Sequence, residues 1–144
     1  MIWHKAFTLE EIQLRGAGTM VEHIGITITG WGDDFLQGSM PVDQRTIQPM
    51  GLLHGGASVA LAETLGSLAA NLVIDTSKNY CVGLDINANH IRSVKKGWVT
   101  GTAKPLHIGS STQVWSIEIV DEEKRLVSIS RLTMAVLQRK IHSL

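Results

Sequence analysis

Glu63 is the side chain whose setting most demands an explanation. It lies in the run GLLHGGASVALAETLGSLAANLVI, where almost every neighbour at helical spacing is small or apolar. Burying a carboxylate there costs free energy unless it meets a partner or a solvent-filled cleft. Burial would raise its pKa towards the range useful to a general base, while hydrogen bonds to the charged form would oppose that shift. The competing reading is an ordinary helix-surface charge or a structural ion pair.

The second feature is LLHGG, Leu52 to Gly56. Adjacent glycines at a helix start permit close backbone approach and leave N–H groups pointing outward. Those groups, with the positive end of the helix, suit an oxygen that becomes negative during reaction. A glycine pair also serves simple turns and tight packing, so the dipeptide alone does not decide the matter. Spacing adds a geometric constraint. Glu63 is eight residues beyond Gly55, about 12 Å along a helix, whereas a base and an oxyanion donor must both come within about 3 Å of one reacting centre. Two antiparallel copies of the helix related by a two-fold axis can pair Gly55 of one subunit with Glu63 of the other.

Three further residues frame this pair. Gln48, just before Pro49, has an amide able to donate to a substrate oxygen or to orient its loop. Ser67, one turn beyond Glu63, can hydrogen-bond to the carboxylate or to water, or can simply be a small residue at a packed helix face. His54 can donate to a reacting group or satisfy loop carbonyls. Elsewhere the sequence is less specific. Asp85, Asn87, Asn89 and His90 alternate along a strand-like run, but Asn is a poor lead ligand and no H-x-x-x-H or dense carboxylate cluster accompanies them, so no metal site is expected. G-x-S-x-G, Walker and Rossmann motifs are absent from the sequence. Cys81, in the apolar run YCVG, reads as structural. Arg92, Lys95 and Lys96 suit either phosphates at a cleft mouth or a solvated strand end. Trp3, Trp31, Trp98 and Trp115 are too dispersed for a stacking platform, and Trp115 reads as packing in the core or between subunits.

The elements that must position these groups follow from periodicity. Thr8 and Glu11 form a capping box for a short helix, Thr8 to Arg15, with Leu9, Ile12 and Gln13 on or near one side and Gly16 and Gly18 to stop it. From His23 the pattern has period two, with Ile24, Ile26 and Ile28 alternating before a turn at Gly30 to Asp34. Phe35 to Val42 is a weaker strand because it contains Gly and Pro. A helix is expected from about Gly56 to Val73, with a stripe of Leu61, Leu65, Leu68 and Leu72 and a second face of Gly56, Ala60, Glu63, Ser67 and Ala70. A helix apolar or small nearly all round is central, packed on several sides. Strands follow at Tyr80 to Val94, Gly97 to Leu106, Thr112 to Val120 and Leu126 to Leu137, with DEEKR, Asp121 to Arg125, as a solvated hairpin turn. This is an α+β pattern, a curved antiparallel sheet of about five strands wrapped around one long helix, and not βαβ alternation. No repeat of solenoid length is present.

Bulk properties agree with one domain over residues 1–144, for a chain of 144 residues buries roughly two thirds of its unfolded surface. Thirteen basic and thirteen acidic residues balance, so neither nucleic acid nor an anionic membrane is an expected partner. A single cysteine excludes an internal disulfide, and the N-terminus lacks a signal-peptide pattern, so the cytoplasm is the expected compartment. No run is long enough to span a bilayer.

Four stretches together, SMPVDQRT, QPMGLLHGGASVALAETLGSLAA, VGLDINANHIRSV and KPLHIGSSTQVWSIEI, make the chain similar over nearly its whole length to hotdog-fold acyl-CoA thioesterases of the PaaI-like branch. That branch includes hydrolases of 1,4-dihydroxy-2-naphthoyl-CoA in menaquinone biosynthesis and proofreading enzymes that clear misacylated carrier protein in enterobactin synthesis. The resemblance implies a hotdog protomer paired into a dimer, commonly a dimer of dimers, with no cofactor. It implies that Glu63 is nucleophile or general base on the thioester, that the Gly55 N–H polarises its carbonyl, that Gln48 positions the carbonyl or water, that Ser67 assists near the carboxylate, and that His54 supports the site. It also implies acyl-CoA as substrate, with an acyl or aryl carrier protein as an alternative. Met50 stands where these relatives carry phenylalanine, which bears on acyl selectivity. His90, Arg92, Lys95, Lys96 and Lys104 are the expected substrate contacts, the cations for CoA phosphates. A hotdog dehydratase and a non-catalytic acyl-CoA-binding module are the competing functions on the same fold.

Overall fold

The computed structural model describes residues 1–140; the last four positions of the 1–144 domain reading lie outside the described residues. The first helix, α1 (Leu9–Leu14), starts where the sequence places it: Thr8 accepts from the Glu11 N–H while the Glu11 carboxylate accepts from the Thr8 N–H. A second short helix, α2 (Met20–His23), capped by Thr19, lies where no helical periodicity had a chance to develop. The first strand, β1 (Thr27–Trp31), pairs with β2 (Leu36–Val42). It continues through Gly30 and Trp31, one bulge absorbing the irregularity, so the turn comes later than expected, closed by Gly32 N–H to the Phe35 carbonyl.

Pro41 does not prevent β2 from forming, for a simple reason. The β1 ladder on β2 ends at Ser39, so the proline, which has no N–H to give, lies past the last rung on that side. Gly38 in turn is required by packing: a Cβ there would lie 2.8 Å from Leu65 Cδ2.

The long helix, α3 (Gly55–Leu72), carries Leu61, Ala62, Leu65, Gly66, Ala69, Ala70 and Leu72 into the core. Leu68 is only partly buried and Ala70 is fully buried, so the two helix faces expected from the sequence are shifted at their ends. The remaining strands are β3 (Asn79–His90), β4 (Gly97–Ile108), β5 (Thr112–Val120) and β6 (Leu126–Gln138). Among the described residues the sheet has six strands in the order β1-β2-β4-β5-β6-β3, one more than the sequence reading, with every pairing antiparallel. Helix α3 packs against β2, β3, β4, β5 and β6, so the sheet curls around it as the resemblance implies.

The alternation in β5 sorts Val114, Ser116 and Glu118 away from the helix and buries Trp115, Ile117 and Ile119 completely. Trp115 is a core residue, its indole N–H donating to Gln113 Oε1 at 2.9 Å. The Asp121 to Arg125 turn is held by Asp121, which accepts from the N–H groups of Glu123 and Arg125, with Lys124 at φ 63°. Both sheet edges matter below. At one edge Gln13 of α1 reaches β1, accepting from the Ile28 N–H at 2.8 Å and donating to the Ile26 carbonyl at 3.2 Å. At the other edge lies β3, whose residues 82–85 are all exposed.

Candidate functional site

Glu63 lies on the face of α3 that meets the N-terminal layer and reaches the β3 edge of the sheet. Helix α3 presents Ala60, Glu63, Thr64, Ser67, Leu68 and Asn71 along one face, the i, i+3, i+4, i+7 spacing of a single helical stripe. The N-terminal layer lies over this stripe, supplying Ile12, Gln13, Val21, Ile24, Ile26 and Ile28. Between the two is a cleft of about 680 Å³, apolar over most of its wall. Among the described residues Glu63 is the single acidic residue lining it, with Arg15 and Arg139 the cations.

Within the cleft the Glu63 carboxylate has no ion-pair or hydrogen-bond partner among the described residues, and burial raises its pKa. The structural ion pair considered from the sequence is therefore not made among the described residues. What fixes the carboxylate is backbone: Oε1 rests against Gly83 of β3, where any Cβ would collide with it. A bulge in the β3–β6 ladder between Gly83 and Asp85 adapts the strand at that point. Asn71 ties the same strand to α3, accepting from the Cys81 N–H at 2.9 Å and donating to the Ser67 carbonyl at 2.9 Å.

Ser67 lines the cleft one turn from Glu63, but its hydroxyl turns to Met134 Sδ at 3.8 Å and makes no bond to the carboxylate. Cys81 is buried, its thiol pushed up to about 11 by burial and its Sγ 3.5 Å from the Ala70 carbonyl. Burial and the raised pKa both disfavour the thiolate near neutral pH, in keeping with a structural role.

Gly55 opens into a different and smaller cleft, about 300 Å³, together with Gln48, Ser58, His90 and Arg92. Gly55 is the first residue of α3, and its N–H has no partner among the described residues, as expected of a helix start. The absence of a side chain is needed here: a Cβ would lie 2.8 Å from His90 Nε2. His54 is the N-cap. Its Nδ1 accepts from the Gly56 N–H at 2.7 Å, so the ring is spent on shaping the helix start. Gln48 uses Oε1 to accept from the Met50 N–H, and its backbone closes a tight turn with Gly51 and Leu52. Its NH2 group has no partner among the described residues, and Gln48 lines this cleft.

The remaining sequence candidates divide. His90 and Arg92 line the Gly55 cleft. Lys95 and Lys96 follow in the loop after β3, which ends at His90 and not at Val94. Lys104 lies in β4, exposed and flanked by the buried Ala103. Met50 is 80% exposed and lines neither cleft. Among the described residues no group of three or more His, Cys, Asp or Glu is placed to hold a metal. No helix among the described residues is long and apolar enough to cross a membrane.

Sequence reasoning passed over Gly83, Gln13 and the N-terminal wall. Gly83 had a signal, since an isolated glycine in a strand pattern marks close approach of another group. Most of the wall, Ile12, Gln13, Ile24, Ile26 and Ile28, reads in the sequence as one helix side and one strand face, and only in three dimensions do these converge over α3.

The geometry is thus one helix with a free N–H at its start and an unpaired carboxylate two turns along, each in its own cleft. Comparison with known proteins agrees with hydrolytic chemistry. The thioesterase superfamily model matches residues 50–128. The 1,4-dihydroxy-2-naphthoyl-CoA hydrolase of Escherichia coli is 54% identical over 137 residues, covering 95% of this chain and 100% of that one. The proofreading thioesterase EntH of Cronobacter sakazakii is 53% identical over 138 residues, covering 95% and 99%. A Haemophilus influenzae thioesterase crystal structure matches with a TM-score of 0.95 and 49% identity over the full length of both chains. A six-stranded antiparallel sheet curled on a carboxylate-bearing helix, with these relatives, makes the chain a member of the thioesterase superfamily, a hotdog-fold thioester hydrolase.

Proposed function

We propose that this hydrolase cleaves aromatic acyl-CoA thioesters, with 1,4-dihydroxy-2-naphthoyl-CoA the preferred substrate, at a site shared between two copies of the chain. The observation that carries this reading is the unpaired Glu63 carboxylate, its pKa raised by burial, on the wall of a mostly apolar cleft large enough for a bicyclic acyl group. The whole chain acts as one catalytic domain in the cytoplasm.

The thioester carbonyl oxygen accepts from the Gly55 N–H at the positive end of α3, with the Gln48 amide as a second donor. Glu63 of the opposing copy then removes a proton from water as it adds to the carbonyl carbon, or adds directly to give a mixed anhydride that water opens. In both routes the C–S bond breaks, the electron pair leaves on sulfur, and free acid and CoA thiol are the products. His54 holds the helix start in shape, and Ser67 supports the carboxylate end of the cleft. His90 and Arg92, beside Gly55, are placed for the CoA arm, with Lys95 and Lys96 beyond them for its phosphates. Lys104 and Met50 act at the periphery.

The sharing of the site is supported by two features. Gly55 and Glu63 open into separate clefts of one protomer, and β3 offers an unpaired edge of twelve residues, about 40 Å of backbone donors and acceptors. Strand-to-strand pairing of two β3 edges about a two-fold axis would set two α3 helices antiparallel, and a dimer of dimers is the full assembly.

Thiol release from 1,4-dihydroxy-2-naphthoyl-CoA tests the reading. Glu63→Gln is expected to lose at least about 1,000-fold in kcat while remaining folded and dimeric; full turnover in that variant would overturn the assignment. A second reading, removal of aryl groups from a carrier protein, is favoured by the almost equal similarity to EntH. The ratio of kcat/KM for one aryl group on CoA and on carrier protein decides between them.

A further inference from the structure

The cleft that holds Glu63 runs on along α3 well past the carboxylate. It is lined as far as Asn71, eight residues further on and about 12 Å along the helix axis, and beyond that by Thr76 and Arg139. Arg139 is held there by three contacts. Its backbone N–H donates to the Lys78 carbonyl at 2.8 Å, its Nε donates to the Thr76 carbonyl at 2.8 Å, and its guanidinium lies 5.5 Å from the Tyr80 ring centroid. These fix the plane of the group while leaving both terminal nitrogens without a partner among the described residues, and it forms no ion pair with them. A guanidinium oriented by its neighbours with its donor fork unspent is the arrangement that recognises a planar oxyanion.

The cleft therefore has an order along α3: Ala60 and the reacting carboxylate towards one end, Ser67, Leu68 and Asn71 beyond it, and an arginine past them. Glu63 cannot be the partner of Arg139, since no ion pair joins them. Arg139 is exposed, and its donor fork is open to an anionic oxygen arriving on a ligand.

We propose that Arg139 selects acyl groups bearing an anionic oxygen, a carboxylate in the simplest case, at the end remote from the thioester. This rests on the thioesterase reading of the same cleft and adds a second class of acyl group to the uncharged 1,4-dihydroxy-2-naphthoyl group, which has no distal anion and does not use the Arg139 contact. The body of the acyl group is apolar and lies under the isoleucine wall, and its distal carboxylate accepts from the two terminal nitrogens of Arg139. Arg15, on the opposite wall, lacks such anchoring and raises the local potential without fixing geometry.

The test compares 2-naphthoyl-CoA with 6-carboxy-2-naphthoyl-CoA, which differ only in the distal carboxylate. The ratio of their kcat/KM values is expected to favour the carboxylated thioester by about fivefold, the upper end for an ion pair at an exposed site. Arg139→Gln should bring that ratio close to one and Arg139→Lys should restore only part of it, because a point charge lacks the fork. Arg15→Gln should leave most of the preference standing.

A ratio near one in the wild type, or a preference that survives Arg139→Gln, overturns the proposal while leaving aryl-CoA hydrolysis intact. A preference abolished by Arg15→Gln and kept in Arg139→Gln overturns it as well. Binding is measured alongside by calorimetry with two methyl ketone probes, the anion 6-acetyl-2-naphthoate and the neutral 2-acetylnaphthalene. Even if neither thioester is turned over, tighter binding of the carboxylated probe that is lost in Arg139→Gln supports the proposal, and equal binding of the two probes sinks it.

Discussion

Replacing Gly55 by proline removes one proton donor with little cost to the helix that presents it. Gly55 is the first helical residue, where an N–H has no intrahelical partner and proline is well tolerated. The residue before it, His54, already has φ −68° and ψ 130°, the extended geometry that a following proline requires. The added carbon atoms would meet His90 Nε2, 2.8 Å from the Cβ position, but that is the tip of a side chain that can swing away. Gly55→Ala carries the same Cβ and keeps the N–H, so the difference between the two variants isolates the donor. Loss of one oxyanion donor is worth about 100- to 1,000-fold in kcat, and Gly55→Pro should fall below Gly55→Ala by that factor in a thiol-release assay. The variant then gives a decisive test of where the site lies. A dimer purified with one Gly55→Pro chain and one Glu63→Gln chain contains one site with both groups intact if the site crosses subunits. It contains none if each chain works alone. The eight-residue separation, about 12 Å of helix, is too long for one chain to bring both groups to a single carbonyl, so the mixed dimer should recover about half of wild-type activity. A mixed dimer no more active than its parents would refute the reasoning.

Gly83→Ala should disable the enzyme without unfolding it, because its Cβ would displace the Glu63 carboxylate; a fall of about 100-fold in kcat with a small change in Tm is expected, in line with a misplacement of about 1 Å. Burial raises the Glu63 pKa, and the carboxylate is the working form, so kcat/KM should begin to fall on acidification at a higher pH than an exposed glutamate would give. The same shift means that the folded state favours the protonated group. Above that pKa Glu63→Gln should therefore be at least as stable as wild type, the difference vanishing as pH falls through the pKa, as urea titrations at several pH values would show. Alkylation of native protein should leave Cys81 unlabelled and turnover intact, since burial lifts its thiol to about 11; mass spectrometry should find the label only after unfolding. Thr8→Ala, which removes the capping hydroxyl of α1, should cost about 1 kcal/mol in urea unfolding.

The parts of this molecule governed by local rules were readable in advance. Thr8 and Glu11 form their capping box, α3 starts within one residue of its expected position, and β5 spans the residues its alternation indicated. The misreadings have physical causes. Helix α2 has four residues, too few for a period of 3.6 to show. Strand β1 runs through Gly30 by way of a bulge, which glycine disguises as a turn. At the site, Glu63 stood out because a lone acid among small residues is costly wherever it is buried. Gly83 and Gln13 did not, because their importance lies in which distant atoms they meet: a carboxylate in one case and the edge of a strand in the other. The hydroxyl of Ser67 was expected near that carboxylate and instead faces a thioether of β6, a preference of packing that spacing along a helix does not encode.

The amide of Gln13 has a consequence for assembly. By occupying the Ile28 N–H and the Ile26 carbonyl, it acts as a one-residue substitute for a neighbouring strand and stoppers the β1 margin. The β3 margin has no such plug. If copies pair through exposed margins as proposed above, β3 is the margin open to them among the described residues, and such a ribbon would end at two copies where two open margins would let it grow without limit.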